Sequence, residues 1–350
     1  MNVRASAPGK LVLLGEYAVI DGAPALVAAV DRRAVAGVEV VDGELCEVYA
    51  PDVSPRPARF ALSAGGCFEW RSGAGEARRH ALARFVVESL IAEKVLDPAA
   101  SAAFRVSLDS AGFFLNGTKL GLGSSAALVV TLDAALRRHA GADETLVEPE
   151  RALDRLIALH AAFQRGRGSG LDVAASLFGG LLAFAREGGT GAARVGRLRW
   201  PAGLHMLCLW SGCAASTHRL LRAAEHARRS RPRVFATHVA RLARLAQDGQ
   251  DAVNGGNAGR LLGIVESYAE ALDGFGQACG IDIMSPGHRR LRQLAAAAGA
   301  AYKPSGAGGG DVGVAFAAAG EPLAALSEVA VREGSAVVSL GMDPEGLRFR

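Results

Sequence analysis

Apolar residues recur along the chain with two spacings, and each spacing predicts its own kind of element. Short apolar runs, rich in β-branched residues and bounded by glycine, proline or aspartate, predict strands at residues 11–14, 24–30, 35–41, 45–49, 104–108, 113–115, 205–210 and 312–316, with 104–108 and 113–115 paired as a hairpin. Apolar positions three or four residues apart predict helices at residues 81–94, 126–139, 151–163, 261–275 and 288–300. Ser285 and Pro286 fit the N-cap and the first position of the last helix.

Length and composition predict two globular domains. A chain of 350 residues favours about two domains, and a hydrophobic content of 50% with 21% charged residues is typical of folded proteins. Residues 51–80 are rich in proline, glycine, alanine and arginine, and we expect loops there. Residues 186–200 are rich in glycine and arginine and have the character of a domain boundary. We therefore expect one domain at residues 1–190 and a second at residues 191–350.

The charge balance and the cysteines narrow the class of protein. A net charge of +4 is too small to indicate a nucleic acid partner and suits a protein that handles small anions. The five cysteines form no CxxC pair and no zinc spacing, so we expect reduced thiols. No apolar run approaches the length of a membrane span, and no signal-peptide pattern opens the chain. We expect a soluble, cytoplasmic monomer or homodimer with no membrane partner.

Residues 121–127, Gly-Leu-Gly-Ser-Ser-Ala-Ala, place two glycines and two hydroxyls at the start of a predicted helix. The free N–H groups and the helix dipole make such a start an anion site. The glycines allow the backbone to close round phosphate oxygens. Ser124 or Ser125 could then offer a hydroxyl to a bound Mg²⁺. This stretch predicts a phosphate site for a nucleoside triphosphate.

Three other interpretations of this stretch were weighed. A Walker A loop needs a lysine after its last glycine, whereas Lys119 precedes the glycines here. The relaxed dinucleotide-binding pattern fits the two glycines and Ala126, but it needs a strand that runs directly into them. Residues 116–119 predict a turn at that point. The remaining alternative is a serine N-cap on a core helix, and it stays open.

Two further glycine-rich stretches stand later in the chain. Residues 168–174, Gly-Ser-Gly-Leu-Asp-Val-Ala, open a second helix with Asp172 in its first turn. That carboxylate could serve chemistry or merely complement the helix dipole. Residues 303–311, Lys-Pro-Ser-Gly-Ala-Gly-Gly-Gly-Asp, are so small that we expect their backbone to approach a ligand or another loop closely. Three of the chain's four lysines, 10, 119 and 303, lie in or beside the glycine stretches, which favours ammonium groups at phosphate.

Three separated glycine motifs in this order resemble the three signatures of the GHMP kinases. Pro8-Gly9-Lys10 followed by Gly15-Glu16-Tyr17 resembles the first signature, residues 121–127 the phosphate loop, and residues 305–311 the third. The resemblance covers essentially the whole chain. Within the family, the phosphomevalonate kinase branch is the most similar in the stretches at residues 119–120, 168–174, 210–217 and 303–311.

The resemblance implies an α+β fold with two domains of the GHMP kinase type and an active site in the cleft between them. It implies ATP and Mg²⁺ as cofactors and 5-phosphomevalonate as the acceptor. Lys10 and Asp172 are then the candidate catalytic residues, and Ser125 is the candidate metal ligand. The implied ATP-binding residues are Lys119, Gly121, Leu122, Gly123, Ser124, Ser125 and Ala126. The implied substrate-binding residues are Glu16, Tyr17, Arg165, Arg167, Ser169, Ser216, Thr217, Gly308 and Gly309.

One departure from the family and three alternatives accompany this prediction. Mevalonate kinases carry a metal-binding glutamate on the helix before the catalytic aspartate, whereas His160, Ala161 and Gln164 occupy that region here. The protein ligands of the metal beyond Ser125 are therefore left open.

The enzymatic alternative is a mevalonate kinase, with mevalonate diphosphate decarboxylase as a weaker third. An alternative from another class is a catalytically inactive metabolite sensor on the same fold.

Overall fold

The computed structural model describes residues 2–63, 65–142, 145, 148–164 and 168–349. Its strands are β1 (Asn2–Leu14), β2 (Ala25–Val40), β3 (Cys46–Tyr49), β4 (Ala58–Leu62), β5 (Phe68–Trp70), β6 (Phe104–Asp109), β7 (Phe114–Leu115), β8 (Thr118–Lys119), β9 (Leu181–Arg186), β10 (Ala193–Leu198), β11 (His205–Trp210), β12 (Ala301–Pro304), β13 (Val312–Ala317), β14 (Ala336–Val338) and β15 (Arg348–Phe349). Its helices are α1 (Ala74–Arg79), α2 (Ala81–Ala92), α3 (Ser124–His139), α4 (Pro149–Phe163), α5 (Leu171–Phe178), α6 (Thr217–Ser230), α7 (Pro232–Asn254), α8 (Ala258–Cys279), α9 (Pro286–Ala297) and α10 (Gly320–Arg332).

A nine-stranded sheet forms the first half of the molecule. Its strands follow the order β10-β9-β2-β6-β3-β4-β5, and β1 pairs with both β2 and β15. The pairing is antiparallel except between β3 and β6. Helix α3 packs on β1 and β2, and α2, α4 and α5 surround it. These contacts cover α3 on nearly all sides, and twelve of its sixteen residues are buried.

Strand β1 lies between two hydrophobic cores. Its residues Val3, Ala5 and Val12 belong to the core beneath the helices α2 to α5. Leu11 and Leu13 belong to a second core, which the helices α6 to α8 and strand β13 complete. Because both faces of the strand are covered, its hydrophobic run is nearly continuous rather than alternating. The first motif is therefore held at the junction of the two halves.

A four-stranded antiparallel sheet forms the second half. Its order is β12-β13-β11-β14. Helices α8 and α9 pack on β12, and α10 packs on β11, β13 and β14. Together with the first half this gives the α+β architecture expected from the sequence. Within the described residues, no helix combines the length and apolar character needed to cross a membrane.

Most predicted elements are confirmed, and three are wrong in part. The segment expected to be loops at residues 51–80 contains β4, β5 and α1. Residues 104–115 do not form a hairpin, because β6 lies between β2 and β3 while β7 pairs with β8. The strands expected at 24–30 and 35–41 are one long strand, β2. All five cysteines have free thiols.

The division at residue 190 falls inside a pair of strands. Strand β10 pairs along its whole length with β9 of the large sheet. The C-terminal strand β15 also returns to this sheet, where it pairs with β1. The division into residues 1–190 and 191–350 stays a prediction, and the strand pairing favours a boundary after Leu198.

Candidate active site

An irregular step in β1 brings its backbone against the phosphate loop. The register with β2 shifts between Pro8 and Gly9. A Cβ on Gly9 would lie 2.7 Å from the carbonyl oxygen of Leu122, so only glycine allows this approach. The next residue, Lys10, donates its N–H to the same oxygen at 2.8 Å. The side chain of Lys10 also turns to the loop, and its Nζ donates to the carbonyl oxygen of Gly121 at 2.8 Å.

The phosphate loop turns through two glycines in the left-handed region. Gly121 has φ 74° and Gly123 has φ 82°. Gly123 is the N-cap of α3 with no side-chain cap, and Ser124 and Ser125 are the first two helical residues. The interpretation of a serine N-cap is therefore wrong. Among the described residues no side chain caps this start, so its first N–H groups are available to an anion.

Asp172 and Lys10 both lie on the side of Gly123 to which a Cβ would point. A Cβ built on Gly123 would lie 3.1 Å from Cγ of Lys10 and 3.6 Å from Cβ of Asp172. Asp172 stands in the first turn of α5, whose Ser176 hydroxyl donates to the carbonyl oxygen of Pro8 at 2.8 Å. The two candidate catalytic residues, which come from two different elements, therefore lie beside the same loop glycine.

The third motif closes the site from the second half of the molecule. A Cβ on Gly121 would lie 2.3 Å from Oδ2 of Asp311, so this carboxylate packs directly on the loop glycine. Oδ1 of Asp311 accepts the N–H of Ala215 at 3.0 Å. A Cβ on Gly306 would lie 3.7 Å from Nζ of Lys10. The three glycine motifs therefore converge on Lys10.

Carboxylates surround the Lys10 ammonium. Burial lowers the pKa of Lys10, and the charges of Asp172, Asp311 and Glu16 oppose that shift. Burial raises the pKa of Asp311, and the N–H of Ala215 and the charge of Lys10 oppose it. A desolvated ammonium beside open helix N–H groups interacts strongly with an anion that enters.

A chain of polar contacts links the start of α3 to Asp172. The hydroxyl of Ser125 lies 3.1 Å from Nε2 of His160, on α4. The other ring nitrogen, Nδ1, lies 3.8 Å from Oδ2 of Asp172. The side-chain amide nitrogen of Gln164 lies 3.0 Å from the same Nε2 and 3.4 Å from the Ser125 hydroxyl. Only 4% of the His160 side chain is exposed.

Glu16 joins the first motif to the third. Its Oε1 forms a buried ion pair with Nζ of Lys303 and accepts the N–H of Gly306 at 3.3 Å. The hydroxyl of Tyr17 donates to the carbonyl oxygen of Ala307 at 2.6 Å. These contacts give Glu16 and Tyr17 a structural role at this joint, and their expected part in substrate binding stays a prediction. The expectation that Lys303 serves at phosphate is wrong, because its ammonium is fully buried against Glu16.

The glycines of the third motif approach protein rather than open space. A Cβ on Gly308 would lie 2.6 Å from the side chain of Ile283, and one on Gly309 would lie 3.1 Å from the carbonyl oxygen of Asp282. The sequence predicted that this backbone approaches either a ligand or another loop. Gly308 and Gly309 contact another loop. Their expected contact with substrate remains a prediction.

The remaining substrate candidates are distributed over two helix starts. Ser216 is exposed and caps α6, accepting the N–H of Arg219 at 3.4 Å, and Thr217 is the first helical residue. The hydroxyl of Ser169 accepts the N–H of Leu171 at 3.4 Å, just before α5. Ser216 follows Ala215, which contacts Asp311 at the phosphate loop. Arg165 and Arg167 lie outside the described residues.

The donor set fits a magnesium ion that is bound mainly through phosphate. No cluster of three or more histidine, cysteine, aspartate or glutamate side chains able to hold a metal occurs among the described residues. Mg²⁺ at a nucleotide uses one or two protein oxygens, with phosphates and waters for the rest. The Ser125 hydroxyl, at the start of α3, is of that kind.

Comparison with known proteins identifies the family. The family model for the N-terminal domain of GHMP kinases matches residues 88–180. The phosphomevalonate kinase of Streptomyces sp. (strain CL190) is 32% identical over 337 residues, covering 89% of this chain and 88% of that protein. The chain belongs to the GHMP kinase family. This confirms the resemblance carried by the three glycine motifs.

Two further similarities concern this GHMP kinase. The mevalonate kinase of Methanothermobacter thermautotrophicus (strain Delta H) is 32% identical over 183 residues, 52% of this chain and 50% of that protein. The structure of Streptococcus pneumoniae phosphomevalonate kinase in complex with phosphomevalonate and AMPPNP has a TM-score of 0.73 at 18% identity, covering 98% of this chain and 99% of that chain. The likeness over the full length confirms the GHMP kinase fold.

Two residues of this kinase's site were not among the sequence candidates. His160 follows the apolar positions 153, 156 and 157 at helical spacing, so a polar residue on the buried face of α4 was a usable signal. Asp311 was visible as the end of the third motif, but its contact with Gly121 joins positions far apart in sequence.

Proposed function

We propose that this GHMP kinase transfers the γ-phosphoryl group of ATP to the 5-phosphate of (R)-5-phosphomevalonate, giving (R)-5-diphosphomevalonate and ADP. The observation that carries the choice of acceptor is the extent of similarity. The phosphomevalonate kinase relative matches 89% of the chain, whereas the mevalonate kinase relative matches 52%. The acceptor candidates include Ser169 in the first half and Ser216 in the second, so similarity across both halves bears directly on the acceptor.

The phosphate loop supports an ATP site. Residues 121–126 would receive the phosphates on the N–H groups at the start of α3, and Lys119 would add a positive charge beside them. Ser125 would hold Mg²⁺ bound with the nucleotide. When bound, that ion supplies positive charge to the phosphate oxygens as negative charge builds up on them.

Lys10 is the proposed cation at the transferring group. Its ammonium lies at the point where the three motifs meet, hydrogen-bonded to Gly121 and close to Gly306. Phosphoryl transfer depends mainly on positioning and charge neutralisation, and a desolvated, preorganised ammonium provides both. The Lys10 ammonium would neutralise negative charge on the γ-phosphate and on the acceptor oxygen during the transfer.

Asp172 is proposed to orient groups rather than to remove a proton. A phosphate monoester has a second pKa of about 6 and is already ionised near neutral pH. Its oxygen can therefore attack without a general base. The charge of Asp172 acts on Lys10, and both side chains lie beside Gly123. Asp172 thus supports the ammonium in its position.

The start of α6 is proposed as the site of the acceptor phosphate. The hydroxyls of Ser216 and Thr217 and the first N–H groups of the helix can hydrogen-bond an anion there. This segment contacts the phosphate loop through Ala215 and Asp311. Two phosphates held close together repel each other, so Lys10 and Lys119, together with Arg165 and Arg167, would supply the balancing charge.

Phosphorus NMR of the product tests this function. The protein is incubated with Mg·ATP and either 5-phosphomevalonate or mevalonate. We expect 5-phosphomevalonate to be converted to a diphosphate with release of ADP. Formation of a phosphate monoester from mevalonate as the main product would instead identify a mevalonate kinase. Absence of phosphoryl transfer to either acceptor would favour the sensor hypothesis.

A further inference from the structure

His160 contacts both Ser125 and Asp172 from one buried ring. Its Nε2 faces the Ser125 hydroxyl at 3.1 Å, and its Nδ1 faces Oδ2 of Asp172 at 3.8 Å. The Ser125 hydroxyl is within hydrogen-bond distance of Nε2, whereas the Asp172 carboxylate faces Nδ1 as a neighbouring charge. The candidate metal ligand and the candidate catalytic carboxylate are therefore joined through a residue that has no assigned role.

The partners assign the tautomer of this ring. The negative charge of the Asp172 carboxylate favours the tautomer that carries its hydrogen on the nearer nitrogen, Nδ1. In the neutral ring Nε2 is then an acceptor. The amide nitrogen of Gln164, a donor, lies 3.0 Å from Nε2, which agrees with this assignment, and it shares the single lone pair of that nitrogen with the Ser125 hydroxyl at 3.1 Å. The Ser125 hydroxyl thus faces an acceptor to which it can donate.

The direction of this hydrogen bond matters for metal binding. A hydroxyl that ligates a cation uses an oxygen lone pair, and its hydrogen must point away from the ion toward an acceptor. Nε2 of His160 is such an acceptor, and it is buried where water cannot compete. Groups that orient a metal ligand in this way commonly change metal affinity about 10- to 100-fold when they are removed.

We propose that His160 is a positioning residue of the nucleotide site. It accepts the hydrogen bond of the Ser125 hydroxyl, so that the oxygen of Ser125 presents a lone pair to the magnesium of Mg·ATP. Its Nδ1–H faces Asp172 and keeps that carboxylate beside Lys10. This inference rests on the proposed ATP-dependent function and adds a residue to it.

The helices that carry the three residues are fixed to one another. Asp133 on α3 is fully buried and accepts two hydrogen bonds from Arg155 on α4, at 2.6 and 2.9 Å. A Cβ on Gly170, just before α5, would lie 2.6 Å from Ile157 on α4, so these two helices are also in close contact. His160 therefore sits on a rigid support, as a positioning role requires.

The test measures ATP binding by calorimetry at increasing Mg²⁺ and in EDTA. In His160→Gln the amide oxygen can accept the Ser125 hydrogen bond, whereas the leucine of His160→Leu offers no acceptor. A matched control is His80→Leu, which also replaces a buried histidine, one that contacts the ring of Trp70. We expect His160→Leu to need at least ~10-fold more Mg²⁺ for half-maximal binding, with unchanged affinity for metal-free ATP. His160→Gln should recover most of the loss, and His80→Leu should match the wild type.

A second set of variants, made in the protein that carries Ser125→Ala, keeps the test informative if His160→Leu folds poorly. In Ser125→Ala the hydroxyl is gone, so His160→Gln and His160→Asn should have the same Mg²⁺ dependence. In the presence of Ser125, only glutamine can place an acceptor where Nε2 stands, and asparagine should lose affinity. Equal Mg²⁺ dependence of all folded His160 variants and the wild type would overturn the inference. A wild type that binds no ATP at any Mg²⁺ concentration would overturn the proposed function itself.

Discussion

Lys303 and Glu16 form an ion pair that is shut off from water between the first and third motifs. Their side chains are 0% and 2% exposed, and the ammonium also donates to the carbonyl oxygens of Val12, at 3.4 Å, and Pro304, at 2.6 Å. The hydroxyl of Tyr268 donates to the carbonyl oxygen of Glu16 from α8 at 3.1 Å. The two halves of the molecule are therefore tied together directly behind Lys10.

Breaking this ion pair should destabilise the fold. Lys303→Met leaves the Glu16 carboxylate buried without its cation, so we expect unfolding in urea to require about 3–5 kcal/mol less free energy. The control is Glu333→Gln, which breaks the surface pair with Arg290. That change should cost less than about 1 kcal/mol. A loss in Lys303→Met no larger than in the control would mean that the joint does not depend on this pair.

His288 should make the stability depend on pH. Burial lowers its pKa to about 4, and its ring nitrogens contact the hydroxyl of Tyr302 and the carbonyl oxygen of Gly310. The unfolded chain takes up this proton near pH 6.5 but the folded protein only near 4, so stability is full above pH 6.5 and falls as the pH drops toward 4. The loss amounts to about 3 kcal/mol.

Urea unfolding at several pH values measures this effect against His288→Gln. Burial also lowers the pKa of His80 and His139, and both remain in the variant. The wild type and the variant therefore differ in how steeply the free energy of unfolding changes with pH, and that difference is the contribution of His288. We expect a shallower loss of stability in His288→Gln between pH 6.5 and 4. Parallel curves would contradict the assignment of a neutral, buried His288.

A side chain at Gly123 should block the nucleotide. In Gly123→Val the added atoms would occupy the space between Lys10 and Asp172, where we propose that phosphate oxygens bind. Gly117→Val is a matched control, since Gly117 also has a positive φ, 75°, but a Cβ there meets nothing within 4 Å. Both variants carry the same kind of backbone strain. Calorimetry should detect a strong loss of ATP affinity only in Gly123→Val, and equal affinities would place the nucleotide elsewhere.

Lys10 and Asp172 should matter for turnover rather than for folding. We expect Lys10→Ala and Asp172→Asn each to lower kcat by about 10²-fold or more, because each removes a contact made to the transferring group or to its cation. Lys94→Ala, at an exposed lysine, should leave kcat unchanged. Melting temperatures of the folded variants serve as the check on structure. Near-normal turnover in Asp172→Asn would support the alternative that this carboxylate only complements the dipole of α5.

The site residues that could be predicted from the sequence are those that the local backbone conformation requires. Gly121 and Gly123 are recognisable because a left-handed loop at a helix start demands glycine, and both have positive φ in the structure. The position of Asp172 was also predictable, because the glycines before it mark the start of a helix and Asp172 lies in the first turn of α5. Local spacing sufficed for these positions, and so did the capping of α9 by Ser285.

What sequence could not predict depends on pairing across the chain. Lys303 stands beside glycines like a phosphate ligand, yet its partner Glu16 is 287 residues away and removes it from the site. His160 acquires its role from contacts with two other helices. The strands of residues 51–80 are short and interrupted by proline and glycine, so only their pairing in the large sheet reveals them.

The ratio of kcat/KM for 5-phosphomevalonate and mevalonate, measured with coupled detection of ADP, shows which acceptor the site is built to bind. A site built to pair a second phosphate leaves its buried donors unpaired when mevalonate binds, and that penalty appears in the transition state. We predict at least ~10³-fold higher kcat/KM for 5-phosphomevalonate, equivalent to about 4 kcal/mol of discrimination. Comparable values for the two acceptors, or a preference for mevalonate, would contradict the account.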